Sequence, residues 1–384
     1  MHFEFMTSAR IVFGAGALEQ IGPAARQIGS RALVVTGKDA SRAARLLKLL
    51  DEAGVQVSLH RVGSEPTVDD ARAGTRVARQ HGAQVVIAFG GGAALDAGKA
   101  IAALVANAGD PMDYLEVVGK GRALESSPLP CIAVPTTAGT GSEVTRNAVL
   151  TSREHRVKAS MRSPSMIPRL AVVDPELTLS VPPAVTASTG LDALTQLIEP
   201  WVSVRANPMT DALCREGIVR ASRSLVRAYE DGGDRVARTD LALASLFGGL
   251  ALANAGLGAA HGFAAVLGGM LAAPHGALCA RLLGPVLAEN VRSLRQQPGT
   301  EGKVARFDEV ARLVTGDGRA TAEDGVAWVR TTCDRLGIPR LAQLGLEAAA
   351  IGEVVERAAK ASSMKANPVA LAPGQLRAIL EQAL

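Results

Sequence analysis

The stretch QVVIAFGGGAALDAGKAIAALVA, residues 84–106, reads as a strand, a glycine loop and a helix in direct succession. Val85 to Phe89 is a short apolar run rich in β-formers, and Gly90, Gly91 and Gly92 follow at once. Working outward, RALVVTG from Arg31 is another buried β-run, an amphipathic helix follows near Ser41 to Ala53, and VQVSLH supplies the next strand. A helix from Val68 to His81 then leads back to the opening stretch. Buried β-runs alternating with helices imply βαβ units with parallel strands, a doubly wound nucleotide-binding half. Further on, Cys131 to Pro135 reads as a strand that runs into PTTAGTGSEVT.

Beyond VDPELTLSVPP the texture changes. Pro182 and Pro183 precede a helix start, and the rest reads as helices from Ala184–Val202 to Pro373–Leu384, with Leu346–Ala359 among them. The boundary is placed near Leu179: residues 1–178 form an α/β dinucleotide-binding domain and residues 179–384 an all-α domain. A chain of 384 residues exceeds the size at which single cores stop growing, which agrees with two domains.

Hydrophobic residues at 48% and charged residues at 20% describe a globular chain with ample core, and a net charge of +4 with scattered arginines argues against nucleic-acid binding. The most apolar stretch, Leu241 to Ala260, is dominated by Ala and Gly and reads as a buried helix rather than a membrane span. The 4 cysteines are far apart with no CxxC pair, so reduced thiols in a cytoplasmic protein are expected. The start, MHFEFMTSAR, has no signal-peptide pattern.

Chemistry concentrates between residues 190 and 276. In GLDALTQLIEP, Asp192 and Gln196 stand four apart on one helical face. His261 and His275 follow in a Gly/Ala-rich apolar setting, and one carboxylate with two imidazoles is a ligand set for a first-row divalent metal. Ordinary core or capping roles for the same residues fit the spacing as well. A triple glycine after a strand suits a phosphate cradle at a helix N-terminus, and it equally suits a turn that needs positive φ. It is neither GxGxxG nor a Walker loop.

These segments resemble the iron-containing (group III) alcohol dehydrogenase family. The resemblance runs from FGAGAL at Phe13 to the tail KANPVALAPGQLRAILEQAL, and PTTAGTGSEVT is its most specific match. It implies a dehydroquinate synthase-like fold, with dinucleotide and metal meeting in a cleft. The implied reaction is NAD(P)-dependent interconversion of an alcohol and an aldehyde or ketone, assisted by Fe2+ or Zn2+. As implied metal and catalytic residues the family pattern carries over to Asp192, His261 and His275, with Gln196 where the family has a further His. The implied cofactor contacts are Gly91, Gly92, Asp96, Thr136, Thr137, Thr140, Ser142 and Lys158, the last ahead of SPSMIPRLAVVDP. Ala93 replaces the usual Ser of the family's GGGSxxDxxK motif. At Gly37, NAD-using members often carry an acid; Gly37 cannot repel a 2′-phosphate, so NADP(H) is admitted. A cytoplasmic homodimer acting on a small uncharged alcohol or aldehyde is implied, with Phe263 and Leu267 shaping the pocket. The alternatives are a maleylacetate reductase-like enzyme and, because of Gln196, a catalytically impaired dinucleotide-binding protein.

Overall fold

The computed structural model describes every residue except Met1, Ser64 and Arg156. The chain forms two compact units: an α/β unit of Thr7–Thr137 and Gly141–Thr178, and a helical unit of Leu179–Leu384 joined by Ala138–Thr140 and the segment up to Met6.

In the α/β unit, strands β1 (Arg10–Phe13), β2 (Arg31–Thr36), β3 (Gln56–Arg61), β4 (Val85–Gly90), β5 (Cys131–Pro135) and β8 (Leu170–Val173) make one six-stranded parallel sheet. Its order is β1-β8-β5-β4-β2-β3. Helices α1 (Ile21–Ile28), α2 (Ala44–Glu52), α3 (Val68–His81) and α4 (Gly92–Ala106) flank it, with the single turn α5 (Pro111–Tyr114) after them. Ala32 and Val34 of β2 pack with Ile21, Leu46 and Leu50 on one face, and Leu33 and Val35 pack with Ala78 and Ile101 on the other. A strand buried on both faces has no polar side to show, which is why β2 and β4 read as unbroken apolar runs.

A second, two-stranded antiparallel sheet was not foreseen. Strands β6 (Asn147–Ser152) and β7 (Val157–Arg162) pair from Asn147 with Arg162 to Ser152 with Val157. Burial alternates along β6, but polar residues weaken the hydrophobic alternation that would have announced it.

The helical unit contains α6 (Pro183–Val202), α7 (Pro208–Glu230), α8 (Arg235–Ala255), α9 (Ala259–Met270), α10 (His275–Arg295), α11 (Glu301–Thr315), α12 (Ala322–Arg335), α13 (Ile351–Ala358) and α14 (Pro373–Ala383). The helix expected from Leu346 begins later, after a 3-10 turn at Ala348–Ala350. Helix α8 is long and apolar enough to cross a membrane, yet 67% of its apolar window is buried. The apolar run read from Leu241 to Ala260 is divided: α8 ends at Ala255, before Gly256 at φ 74°, and α9 starts afresh at Ala259. Helix α6 lies at the centre of the larger core, with Leu191, Leu194, Leu197, Ile198 and Trp201 nearly or fully buried.

Candidate functional site

Within the helical unit, α6, α9 and α10 bring three sequence-predicted residues together. Asp192 (α6), His261 (α9) and His275 (α10), with Cys279 (α10), offer ligand atoms that all lie within 4.8 Å of one another. The approach of α10 to α6 depends on Gly276, where a Cβ would fall 2.3 Å from the Ser188 carbonyl oxygen. Any side chain there would push His275 away from Asp192. Gln196, one turn after Asp192, donates from Nε2 to Asp192 Oδ2 at 3.2 Å. A carboxylate only accepts, so the amide nitrogen must face it and Oε1 must face away.

Glu199 was missed by the sequence reading and holds the cluster from behind. Its Oε2 accepts from His261 Nδ1 at 2.6 Å, and its Oε1 accepts from the Ala260 backbone N–H at 2.7 Å. The first contact orients the ring and leaves Nε2 facing Asp192 Oδ1 at 3.4 Å; the second satisfies a first-turn donor of α9. A signal was present: Asp192, Gln196 and Glu199, at i, i+4 and i+7, form a polar stripe on an otherwise apolar helix. Cys279 was also missed, although its place four residues after His275 puts both on one face.

Asp192 Oδ1, Gln196 Oε1 and His261 Nε2 are buried and without a hydrogen-bond partner. Buried polar atoms nearly always find partners; Asp192 Oδ1 and His261 Nε2 face each other at 3.4 Å inside a cluster of ligand atoms able to take a cation. The convergent carboxylate, two imidazoles and thiol fit a first-row divalent metal. Burial acts to raise the Asp192 carboxyl, but His261 and His275 outweigh it and hold it below its ordinary range. Burial likewise acts against the His261 imidazolium, but Cys279, Asp192 and Glu199 around it raise it well above the usual histidine value. Phe263 and Leu267 are fully buried in the core with Leu278, Leu282 and Leu380. They serve packing, a correction to the pocket-lining role expected of them.

In the α/β unit, the residues expected at a dinucleotide gather at the C-terminal ends of β2, β4 and β5. Gly90 ends β4 at φ 154°, and a Cβ there would sit 2.7 Å from that of Ala94 and 3.8 Å from the Gly37 nitrogen. Gly91 caps α4, Gly92 is its first residue, and the Thr136 N–H donates to the Gly90 carbonyl at 2.9 Å. Thr137 Oγ1 lies 3.2 Å from where a Gly91 Cβ would be. Strand ends meeting a helix N-terminus form the usual ligand crevice of an open parallel sheet. Gly37 has open space where a Cβ would point.

Asp96, Ser142 and Lys158 lie elsewhere in the hydrogen-bonding scheme. Asp96 Oδ1 accepts from Ser142 Oγ, and Oδ2 accepts from the Val149 N–H at 3.0 Å. Lys99 is buried beneath them, donating to the Ser142 carbonyl and Thr145 Oγ1, both at 3.0 Å, and standing 3.3 Å from Asp96 Oδ1. These groups brace the TGSEV segment against α4 and β6. Lys158 on β7 is nearly buried and pairs with Glu65 at 3.0 Å. Thr140 belongs to the three residues that cluster with the helical unit, where Gly139 lies against Thr189.

The chain resembles known proteins along its whole length. Residues 8–175 match the family model described as "Iron-containing alcohol dehydrogenase", and residues 186–384 match "Fe-containing alcohol dehydrogenase family, C-terminal". It is 35% identical over 377 residues to alcohol dehydrogenase 4 of Saccharomyces cerevisiae, covering 97% of this chain and 96% of the yeast protein. The crystal structure of a 1,3-propanediol oxidoreductase superposes with a TM-score of 0.93 at 33% identity, covering 100% of both chains. A sulfoacetaldehyde reductase from Bifidobacterium kashiwanohense, solved with NAD+, superposes with a TM-score of 0.87 at 29% identity, covering 100% of this chain and 99% of that one.

Proposed function

The chain belongs to the iron-containing alcohol dehydrogenase family, and on that premise we propose that Asp192, His261 and His275 hold a divalent Fe2+ or Zn2+ ion, with Gln196 as a weak ligand or substrate contact. The protein is an NAD(P)-dependent oxidoreductase interconverting alcohols and carbonyl compounds. The observation that carries the metal assignment is the convergence of Asp192, His261 and His275, whose ligand atoms lie within 4.8 Å of one another. A metal held by Asp192, His261 and His275 would supply Lewis acidity, and a dinucleotide would supply the hydride chemistry.

The protein's own part is to position and polarise. Glu199 keeps the Nδ1 proton of His261 and leaves Nε2 as donor, and Gln196 steadies Asp192 through Oδ2. The N–H groups at Gly91 and Gly92 and the hydroxyls of Thr136 and Thr137 would receive the dinucleotide. Asp96 and Ser142 contribute by shaping the loop, and Lys158 contributes beside the ribose. The open space at Gly37 admits either NAD(H) or NADP(H). The substrate class is a small uncharged alcohol or aldehyde, in keeping with the propanediol oxidoreductase relative, and the active form is a cytoplasmic homodimer. The 4 buried free cysteines fit a reducing compartment.

Two readings left open by the sequence, a maleylacetate reductase-like enzyme and a non-catalytic dinucleotide-binding protein, are not favoured by alcohol and propanediol dehydrogenase relatives. The test is turnover of a panel of short alcohols, diols and aldehydes with each nicotinamide cofactor, before and after chelation, with metal content measured on the same protein. Activity is expected to disappear on chelation and return with Fe2+ or Zn2+. Full turnover by metal-free protein would reject the metal assignment.

A further inference from the structure

We propose that Cys279 is a fourth ligand of this metal, completing a centre of one carboxylate, two imidazoles and one thiolate. The inference rests on the metal-centre reading above and assigns to it a donor that the family pattern does not include. It follows from position, from distance and from the chemistry of the alternatives.

His275 and Cys279 are four residues apart on α10, so their side chains project from one face. Cys279 Sγ is 3.5 Å from His275 Nε2, and His261 Nε2 is 3.4 Å from Asp192 Oδ1. Ligands bound at the usual Zn–N, Zn–O and Zn–S lengths on the corners of a tetrahedron stand about 3.3–3.6 Å apart. Both edges therefore already have the length that a shared ion requires. Asp192 and His261 are each at least nine-tenths buried, and their Oδ1 and Nε2 atoms face one another with no other partner. A buried cysteine acting only as a small hydrophobe would turn its sulfur toward the leucines around it. This sulfur is grouped instead with an imidazole and a carboxylate.

Gln196 is the rival for the fourth place. Its amide nitrogen is committed to Asp192, and the remaining oxygen is a neutral, weak donor. A thiolate is anionic and soft. With Asp192 it balances the charge of a divalent ion, its proton passing to solvent when the metal enters. Thus the imidazole absent from position 196 is replaced as a donor from another helix. Thiolate ligation moves selectivity from Fe2+ toward Zn2+.

Cobalt substitution reads this directly, because a cysteine thiolate bound to Co2+ gives an intense near-ultraviolet charge-transfer band that oxygen and nitrogen donors do not. The full-length protein loaded with one equivalent of Co2+ is expected to show the band. C279S is expected to lose it and to bind Co2+ at least about tenfold more weakly. C214A, which alters a buried cysteine on α7, is expected to keep it. One bound equivalent of cobalt without the band in the wild-type protein, or a band that survives C279S, overturns the inference and leaves the metal-centre reading standing. A wild-type protein that takes up no divalent ion overturns both.

Discussion

Each unit buries a cluster of charged and polar groups, and the two clusters are finished differently. Under the glycine loop of the α/β unit, Lys99 directs its ammonium group at the Ser142 carbonyl, Thr145 Oγ1 and Asp96, while Asp96 also accepts from Ser142 and Val149. In the helical unit, Asp192, Gln196 and His261 each keep one buried atom unmatched. A closed network of buried charges gives the chain a defined shape. An open one is destabilised until something binds, and that is how a ligand site differs from a brace. The proposed cofactor loop is accordingly made of backbone held in shape by Lys99 and Asp96, whereas the proposed metal centre consists of side chains held in shape by Glu199.

The contrast is sharpest if each cluster loses its central charge. Lys99→Met leaves the partly buried Asp96 without its cation and its neighbours without their donor, at a cost of about 3 kcal/mol. Urea unfolding is expected to show that loss while metal content per folded protein stays constant; a loss under about 1 kcal/mol would mean that the closed network is not a brace. Asp192→Asn is expected to act the other way round. Its kcat/KM falls about 1000-fold, roughly 4 kcal/mol of transition-state stabilisation, together with metal content. The metal-free protein's Tm moves by no more than about 2–4 °C, the equivalent of about 1 kcal/mol.

A third test uses pH. Burial pushes the Glu143 carboxyl, in the segment braced by Lys99, up to about 7 from an ordinary value of 4.5. The folded state therefore favours the protonated form. Its stabilising contribution is complete below pH 4.5 and is lost as pH rises through 7. Glu143→Gln is expected to be more stable than wild type at pH 8, by up to about 3 kcal/mol, and equal to it at pH 4. Equal stability at both pH values would show that the carboxyl is not buried as described. The smallest effect is expected at Glu199→Gln, which weakens the grip on the His261 ring and lowers metal affinity about 10- to 100-fold, measured by competition with a chelator.

Much of this was legible beforehand. The apolar runs at β2, β4 and β5 and the amphipathic periods of α6 to α12 declare themselves because burial on two faces, or on one helical stripe, leaves its period in the sequence. The β6–β7 hairpin left no such mark. Asp192, His261 and His275 were identified as a set through family likeness, since ligands on three helices carry no common spacing. Glu199 and Cys279 sat at helical offsets from the expected ligands and were passed over.

By itself, the amino-acid sequence determined the central strands and most of the helices, the glycine turn after β4 and the residues able to bind a cation, because these depend on neighbours within a few positions. Which groups satisfy one another was decided only by tertiary packing. The close pass of α10 over α6 at Gly276 and the reach of Glu199 to His261 join residues tens of positions apart. An unmatched atom is a property of a filled volume, and no linear pattern encodes it.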